Sequence, residues 1–311
     1  MHDVPKLVNC STHLDEAAKA APDKAEAAEP TYAGLVLALG IKRYTVTLKD
    51  TMPWTFAHPA AVLPLRRLCP MHLNFAGLVV GSMTPDLGYY IHFSDLAQLA
   101  HTFFGSVLVC LPIGLTLLAA LYMLRKPLWF LLPQPHRAVL APVVAVPPSL
   151  RPSSLLATAV SVVLGAWTHI VWDSFTHKSG WVVKHVAFLQ EPAFLIGVTE
   201  FPTYQLLQLL STLVGIAALV AVYCLWLRRS RCLDSPPWRA RHEIWRYALL
   251  ASLATVTSII AVPEAAEAAA SVQGYLAILV FLVHMAIYGT AAFIPLLILC
   301  SVLCYAVRWE T

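Results

Sequence analysis

The sequence predicts an all-α protein, a polytopic integral-membrane helix bundle of about six spans with a discontinuous first span. Three observations carry this. Only 12% of the 311 residues are charged and 59% are hydrophobic, where a soluble domain carries about 25% charged residues. Apolar runs of spanning length, about 20 residues, recur along the chain. Lys and Arg fall in every second connecting segment, the pattern of cytoplasmic loops.

Residues 1–51 are expected to be a disordered extension. The stretch "DEAAKAAPDKAEAAEP" has too little apolar surface to offset the entropy of ordering it. The run "GLVLALG" is too short and wrongly flanked for a secretory leader. The character changes at Met52, with "MPWTFAHPAAVLPLRR". Candidate spans follow at 73–92, 102–124, 154–173, 205–227, 246–262 and 274–306. Pro85 and Asp86 interrupt the first. The last is overlong, and is expected to tilt or to break near Gly289 and Pro295. Beyond the extension, a metal-site helical domain is expected over 52–230 and C-terminal membrane helices over 231–311.

The charge pattern orients these spans. Arg66 and Arg67 precede the first. Arg125, Lys126, Arg137 and Arg151 separate the second from the third. Arg228, Arg229, Arg231, Arg239, Arg241 and Arg246 separate the fourth from the fifth, and Arg308 follows the last. The alternate loops hold only Lys178 and Lys184 among basic residues, beside Glu191, Glu200, Glu264 and Glu267. Six spans with both termini cytoplasmic satisfy every loop. The net charge of +4 then follows from topology and gives no support for a nucleic-acid partner. Seven cysteines form no CxxC pair, so neither a zinc ribbon nor a disulfide framework is signalled. No GxSxG, P-loop or GxGxxG occurs, and nucleotide chemistry has no support.

Ionisable residues near membrane depth are functional candidates. Asp86 ("GSMTPDLGYY"), His101 ("AQLAHTFFGS"), and His169 and Asp173 ("GAWTHIVWDSFTH") all fall toward the outer side of this topology. His169 and Asp173, at i and i+4, are helix neighbours that can reach one ion. His177 is about 12 Å from His169 along a helix, too far to share that ion, so it is read as supporting the site or meeting substrate. Gly180 is the expected helix stop. Imidazole with carboxylate suits zinc, with manganese or iron as alternatives.

His58 is harder to place. Ten residues of α-helix to Leu68 cover about 15 Å, half the hydrocarbon thickness. Either the site is sunk into the bilayer, or that segment is re-entrant, or His58 is no ligand. Gln205 and Gln208 open the fourth span beside the site, as supporting donors or ordinary interfacial amides. His284, inside the last span, reads as a helix–helix hydrogen-bonding residue.

In this order, "MPWTFAHPAAVLPLRR", "GLVVGSMTPDLGYY", "LAHTFFGS" and "GAWTHIVWDSFTHKSGW" resemble an uncharacterised bacterial family of multi-spanning membrane proteins. That family is similar in motif order to the YdjM-like membrane-bound metal-dependent hydrolases. More distantly, the pattern resembles zinc-dependent phospholipases C. The resemblance covers about residues 52–230 and implies a metal set of His58, Asp86, His101, His169 and Asp173. The second aspartate of a YdjM-like "PDxD" is replaced by Gly88 in "PDLG", which counts against a two-metal site. It also implies a chain start at the equivalent of Met52. The expected function is metal-dependent hydrolysis of a lipid or lipid-linked (phospho)ester at a bacterial inner membrane, the site facing outward. The alternatives are a transporter or ion-handling protein, or a structural membrane protein with a stabilising metal.

Overall fold

The computed structural model describes residues 44–45, 54–69, 72–91, 93–147, 149–196, 199–230, 240–270, 272 and 274–307. The expectations for residues 1–43 and 46–53, including the disordered extension and the start at Met52, lie outside the described residues.

Five helices are long and apolar enough to cross a membrane: Phe103–Leu131, Pro152–His185, Thr203–Ser230, Glu243–Ala270 and Leu276–Ala306. The predicted first span takes another form. It follows α1, Thr55–Leu68, a 3-10 helix of 14 residues. Pro59 and Pro64 lie inside α1; each removes an N–H and crowds the carbonyl four residues back, which disfavours α geometry. Next come α2 (Phe75–Gly81), a 3-10 turn at Thr84–Asp86, α3 (Leu87–Tyr90) and α4 (Ser94–Ala100). The span is thus broken at the Pro85–Asp86 step.

The second span, α5 (Phe103–Leu131), starts where Thr102 accepts a hydrogen bond from the Gly105 N–H at 2.9 Å, and contains a π-turn at Ser106–Cys110. A short helix α6 (His136–Ala145) leads to α7 (Pro152–Thr176). Two short helices, α8 (Trp181–His185) and α9 (Ala187–Gln190), precede the strands β2 (Pro192–Ile196) and β3 (Thr199–Pro202), which pair antiparallel. With β1 (Tyr44–Thr45) they form a sheet of order β1-β3-β2, a feature the helical periodicity did not signal. The remaining helices are α10 (Thr203–Ser230), α11 (Ala240–Ala270) and α12 (Tyr275–Ala306). Of the two expectations for the last span, a tilt or a break, the break does not occur: α12 runs through Gly289 and Pro295 without interruption.

Two contacts fix the frame around the site. α2 lies on α7 almost backbone to backbone. A Cβ at Gly81 would stand 2.1 Å from the Val162 carbonyl oxygen, and one at Gly165 2.3 Å from that of Leu78. Small residues permit such approach between apolar helices. Asn74 pins the start of α2: its side chain accepts from the Gly77 N–H at 3.0 Å and donates to Thr158 Oγ1 at 3.1 Å. At the opposite end of the bundle, buried Glu243 accepts from Arg137 at 3.1 Å, Arg246 at 3.0 Å and the Gln134 N–H at 2.9 Å. This ties α11 to the segment after α5.

Candidate metal centre

α7 presents His169 and Asp173 one turn apart, both buried. The close α2–α7 contact brings the Ser82 carbonyl to His169, whose Nδ1 donates to it at 2.8 Å. His101, at the C-terminal end of α4, does the same within its own helix, donating from Nδ1 to the Ala97 carbonyl at 2.7 Å. Such bonds fix the tautomer and leave each Nε2 as the ligating atom. Asp86 arrives on the 3-10 turn. Its Oδ2 accepts from Thr55 Oγ1 at 2.7 Å, so Oδ1 faces the histidines.

Four donor atoms therefore converge. His101 Nε2 lies 3.2 Å from Asp86 Oδ1 and 3.5 Å from Asp173 Oδ2. His169 Nε2 lies 3.4 Å from Asp86 Oδ1 and 3.1 Å from Asp173 Oδ2. A tetrahedral ion with bonds of 2.0–2.1 Å has donor–donor edges of about 3.3 Å, so these separations match its edges. All four atoms lie within 4.8 Å of one another. Three of the residues are essentially sealed: Asp86 is 1% exposed, His169 0% and Asp173 6%. His169 Nε2 and Asp173 Oδ1 have no hydrogen-bond partner, a costly condition for buried polar atoms. A cation at His169 Nε2 removes that cost there, and one dication balances the two carboxylates. The residues thus fit a divalent ion; the N₂O₂ donor set does not choose among zinc, manganese and iron.

His58 lies beside this group and not within it. Its ring stacks on His169 with centroids 3.7 Å apart, and its Nε2 is 3.7 Å from Asp173 Oδ1. Two facts let it reach so far. A 3-10 helix rises about 2.0 Å per residue, so the ten residues from His58 to Leu68 cover about 20 Å rather than 15. The centre also lies back from the helix end, since His169 precedes the end of α7 by seven residues, about 10 Å.

α7 ends at Thr176, and His177 caps it, so the helix stops four residues before Gly180. His177 Nδ1 is 3.6 Å from Asp173 Oδ1, and its Nε2 is 3.4 Å from Gln208 Nε2. Gln205 is buried, and with Gln208 and His177 it lines a cavity of about 1590 Å³ that also reaches Asp86, His101 and Asp173. Across the cavity, α12 contributes His284, Ile287 and Tyr288, and Lys178 and Lys184 line it as well. His284 donates from Nδ1 to its own helix, at the Val280 carbonyl, and so is a cavity residue as well as a helix residue.

Sequence reasoning missed Thr55, the carbonyls of Ser82 and Ala97, and the cavity wall from α12. Thr55 had one usable signal. It stands three residues before His58, and residues at i and i+3 eclipse in a 3-10 helix.

Neither the curated proteins nor the solved structures compared with this chain give a match. No similarity to YdjM-like hydrolases or phospholipases C is shown by these comparisons. Residues 52–302 match the family model described as a domain of unknown function, DUF4184, and the chain belongs to that family.

Proposed function

We propose that this protein is an integral-membrane, metal-dependent hydrolase of a lipid or lipid-linked ester or phosphoester. The observation that carries the reading is the convergence of Asp86, His101, His169 and Asp173 at a large cavity, with buried donor atoms unsatisfied. Those four residues would hold a divalent ion, zinc first, which polarises a substrate oxygen and acidifies a water. The chain's own part is to fix the ligands. Ser82 and Ala97 set the histidine tautomers, and Thr55 turns Asp86. The cavity joins polar groups at Lys178, His177 and Gln208 to apolar walls at Ile170, Val171 and Ile287, a lining suited to an amphiphile. A lipid or a small lipid-linked molecule is therefore the favoured partner, and nothing points to nucleic acid.

We assign the basic loops and the C-terminal end to the cytoplasmic side of a bacterial plasma membrane, with the metal centre toward the other face. The alternation of Lys and Arg supports this.

Elemental analysis of protein purified without chelator tests the metal. The expected result is stoichiometric transition metal; less than about 0.2 equivalents, where ion and folded site should be linked, overturns the reading. A screen of phospholipid and phosphoester substrates then tests hydrolysis. Wild-type turnover abolished in His169→Ala and Asp173→Ala is expected. A metal-loaded protein that turns over no member of the panel, but passes ions through liposomes, would be an ion-handling protein instead.

A further inference from the structure

We propose that α8 and α9, with the turn before them, form an interfacial element that lies in the headgroup region of an anionic bilayer and opens the cavity mouth onto lipid. Residues 177–202 join the end of α7 to the start of α10, two helices long and apolar enough to cross a membrane. A segment between such ends returns the chain at one membrane face. Its inner side is packed. Val183 and Leu189 are buried against Tyr204 of α10, and Gln190 Nε2 donates to the Val183 carbonyl at 2.9 Å, which folds α9 back on α8. Its other side is apolar and open: Trp181 is 69% exposed and Phe188 66%, with Val186 exposed between them. One packed side and one open apolar side, rimmed by basic residues, is the pattern of a segment lying in a membrane interface.

Continuity and charge identify the occupant of that open side as lipid. Toward the end of α7, Trp172 and Phe175 are exposed and stack with centroids 6.4 Å apart. Tryptophan concentrates at the boundary of a bilayer, so the lipid-facing surface of α7 runs directly into Trp181. Residues 177–190 contain Lys178 and Lys184 and no Asp or Glu. Both lysines are exposed, and basic residues at this level attract anionic headgroups. A second copy of the chain suits the face less well, because a two-fold contact sets a patch against itself and would oppose like charges. Lys178, Trp181 and Lys184 also line the cavity. The element that meets the headgroups is therefore also a cavity wall, and a lipid can pass from one to the other within the plane of the bilayer.

The test places a photoreactive group on the open side. The full chain carrying Phe188→p-benzoylphenylalanine is reconstituted in vesicles of phosphatidylcholine and phosphatidylglycerol in equal parts, irradiated and analysed by mass spectrometry. The same group at Val186 is read in parallel, so the result does not hang on one variant folding. At Leu213, exposed on the spanning helix α10, it serves as the lipid-facing reference. The expected result is a lipid adduct at 188 and 186, enriched in phosphatidylglycerol about fivefold over the reference, the preference that one basic residue near an anionic surface provides. Lys178→Gln with Lys184→Gln should return the ratio to that of the reference while the adduct persists. A lipid adduct at 213 with none at 188 or 186 overturns the interfacial element, as does a crosslinked dimer or an intrachain product in its place. Equal ratios at 188 and 213 in the otherwise wild-type chain overturn the anionic partner. Neither readout involves the metal: His169→Ala should give the same adducts, and failure here leaves the hydrolase reading standing.

Discussion

The Thr55 hydroxyl offers the sharpest test of the centre, because it touches a ligand and would not touch the ion. It donates to Asp86 Oδ2 at 2.7 Å, and Asp86 is 1% exposed. In Thr55→Val that carboxylate oxygen keeps its burial and loses its donor, while the side-chain volume is nearly unchanged. A hydrogen bond to a charged group contributes about 1.5–3 kcal/mol. At about 1.4 kcal/mol per factor of ten, metal affinity should fall about 10- to 100-fold. Loss of an outer hydrogen-bond partner of a metal ligand typically costs the same range. The assay is competition with a fluorescent chelator on detergent-purified protein. Thr55→Ser retains the hydroxyl and should stay within about threefold of wild type. If Thr55→Val also stays within that margin, the hydroxyl does not orient Asp86 and the proposed arrangement of donors is wrong.

Three further outcomes are expected. Gly165→Val should abolish the folded protein or its metal content, because even a Cβ there meets the Leu78 carbonyl oxygen at 2.3 Å; size-exclusion chromatography and elemental analysis would show it, and normal behaviour would refute the α2–α7 contact. Glu243→Gln weakens a buried ion cluster with Arg137 and Arg246 and should destabilise by up to about 3 kcal/mol, seen as a lower Tm, while metal stoichiometry per folded chain is unchanged. Metal binding should release protons and weaken as pH falls through the ordinary histidine range near about 6.5, because an imidazole must be deprotonated to ligate; a pH-independent affinity between about 5 and 8 would contradict this.

How much of this was legible depends on where each signal resides. His169 and Asp173 could be paired because their i, i+4 spacing lies within one helix, where geometry follows from sequence separation. Asp86 and His101 could be joined to them because alternating loop charge places distant residues on one side of a membrane. The donors that orient the site were different. Ser82 and Ala97 act through carbonyls, which every residue type carries. Thr55 reaches Asp86 from 31 residues away in sequence, at the start of a 3-10 helix, a conformation that two prolines permit but do not dictate. Pro295 shows the opposite case, a residue that ought to interrupt a helix and does not. In an apolar surrounding the alternative to helix is unsatisfied backbone, so the helix continues around the defect. The paired strands Pro192–Ile196 and Thr199–Pro202 lay in a short connection where hydrophobic periodicity says little.

His169 stands seven residues, about 10 Å, before the end of its helix, and that position bears on the proposed lipid substrate. With the end of α7 at the membrane surface, as the proposed orientation has it, the centre would discriminate by where a bond lies along the membrane normal, before any chemical recognition begins. A linkage near the junction of headgroup and hydrocarbon would meet it by lateral diffusion within the leaflet. A phosphate at the tip of a headgroup would stand too high, and a soluble molecule would enter through the cavity that Lys178 and Trp181 line. Depth would thus act as a ruler, set by the length of α1 and the end of α7.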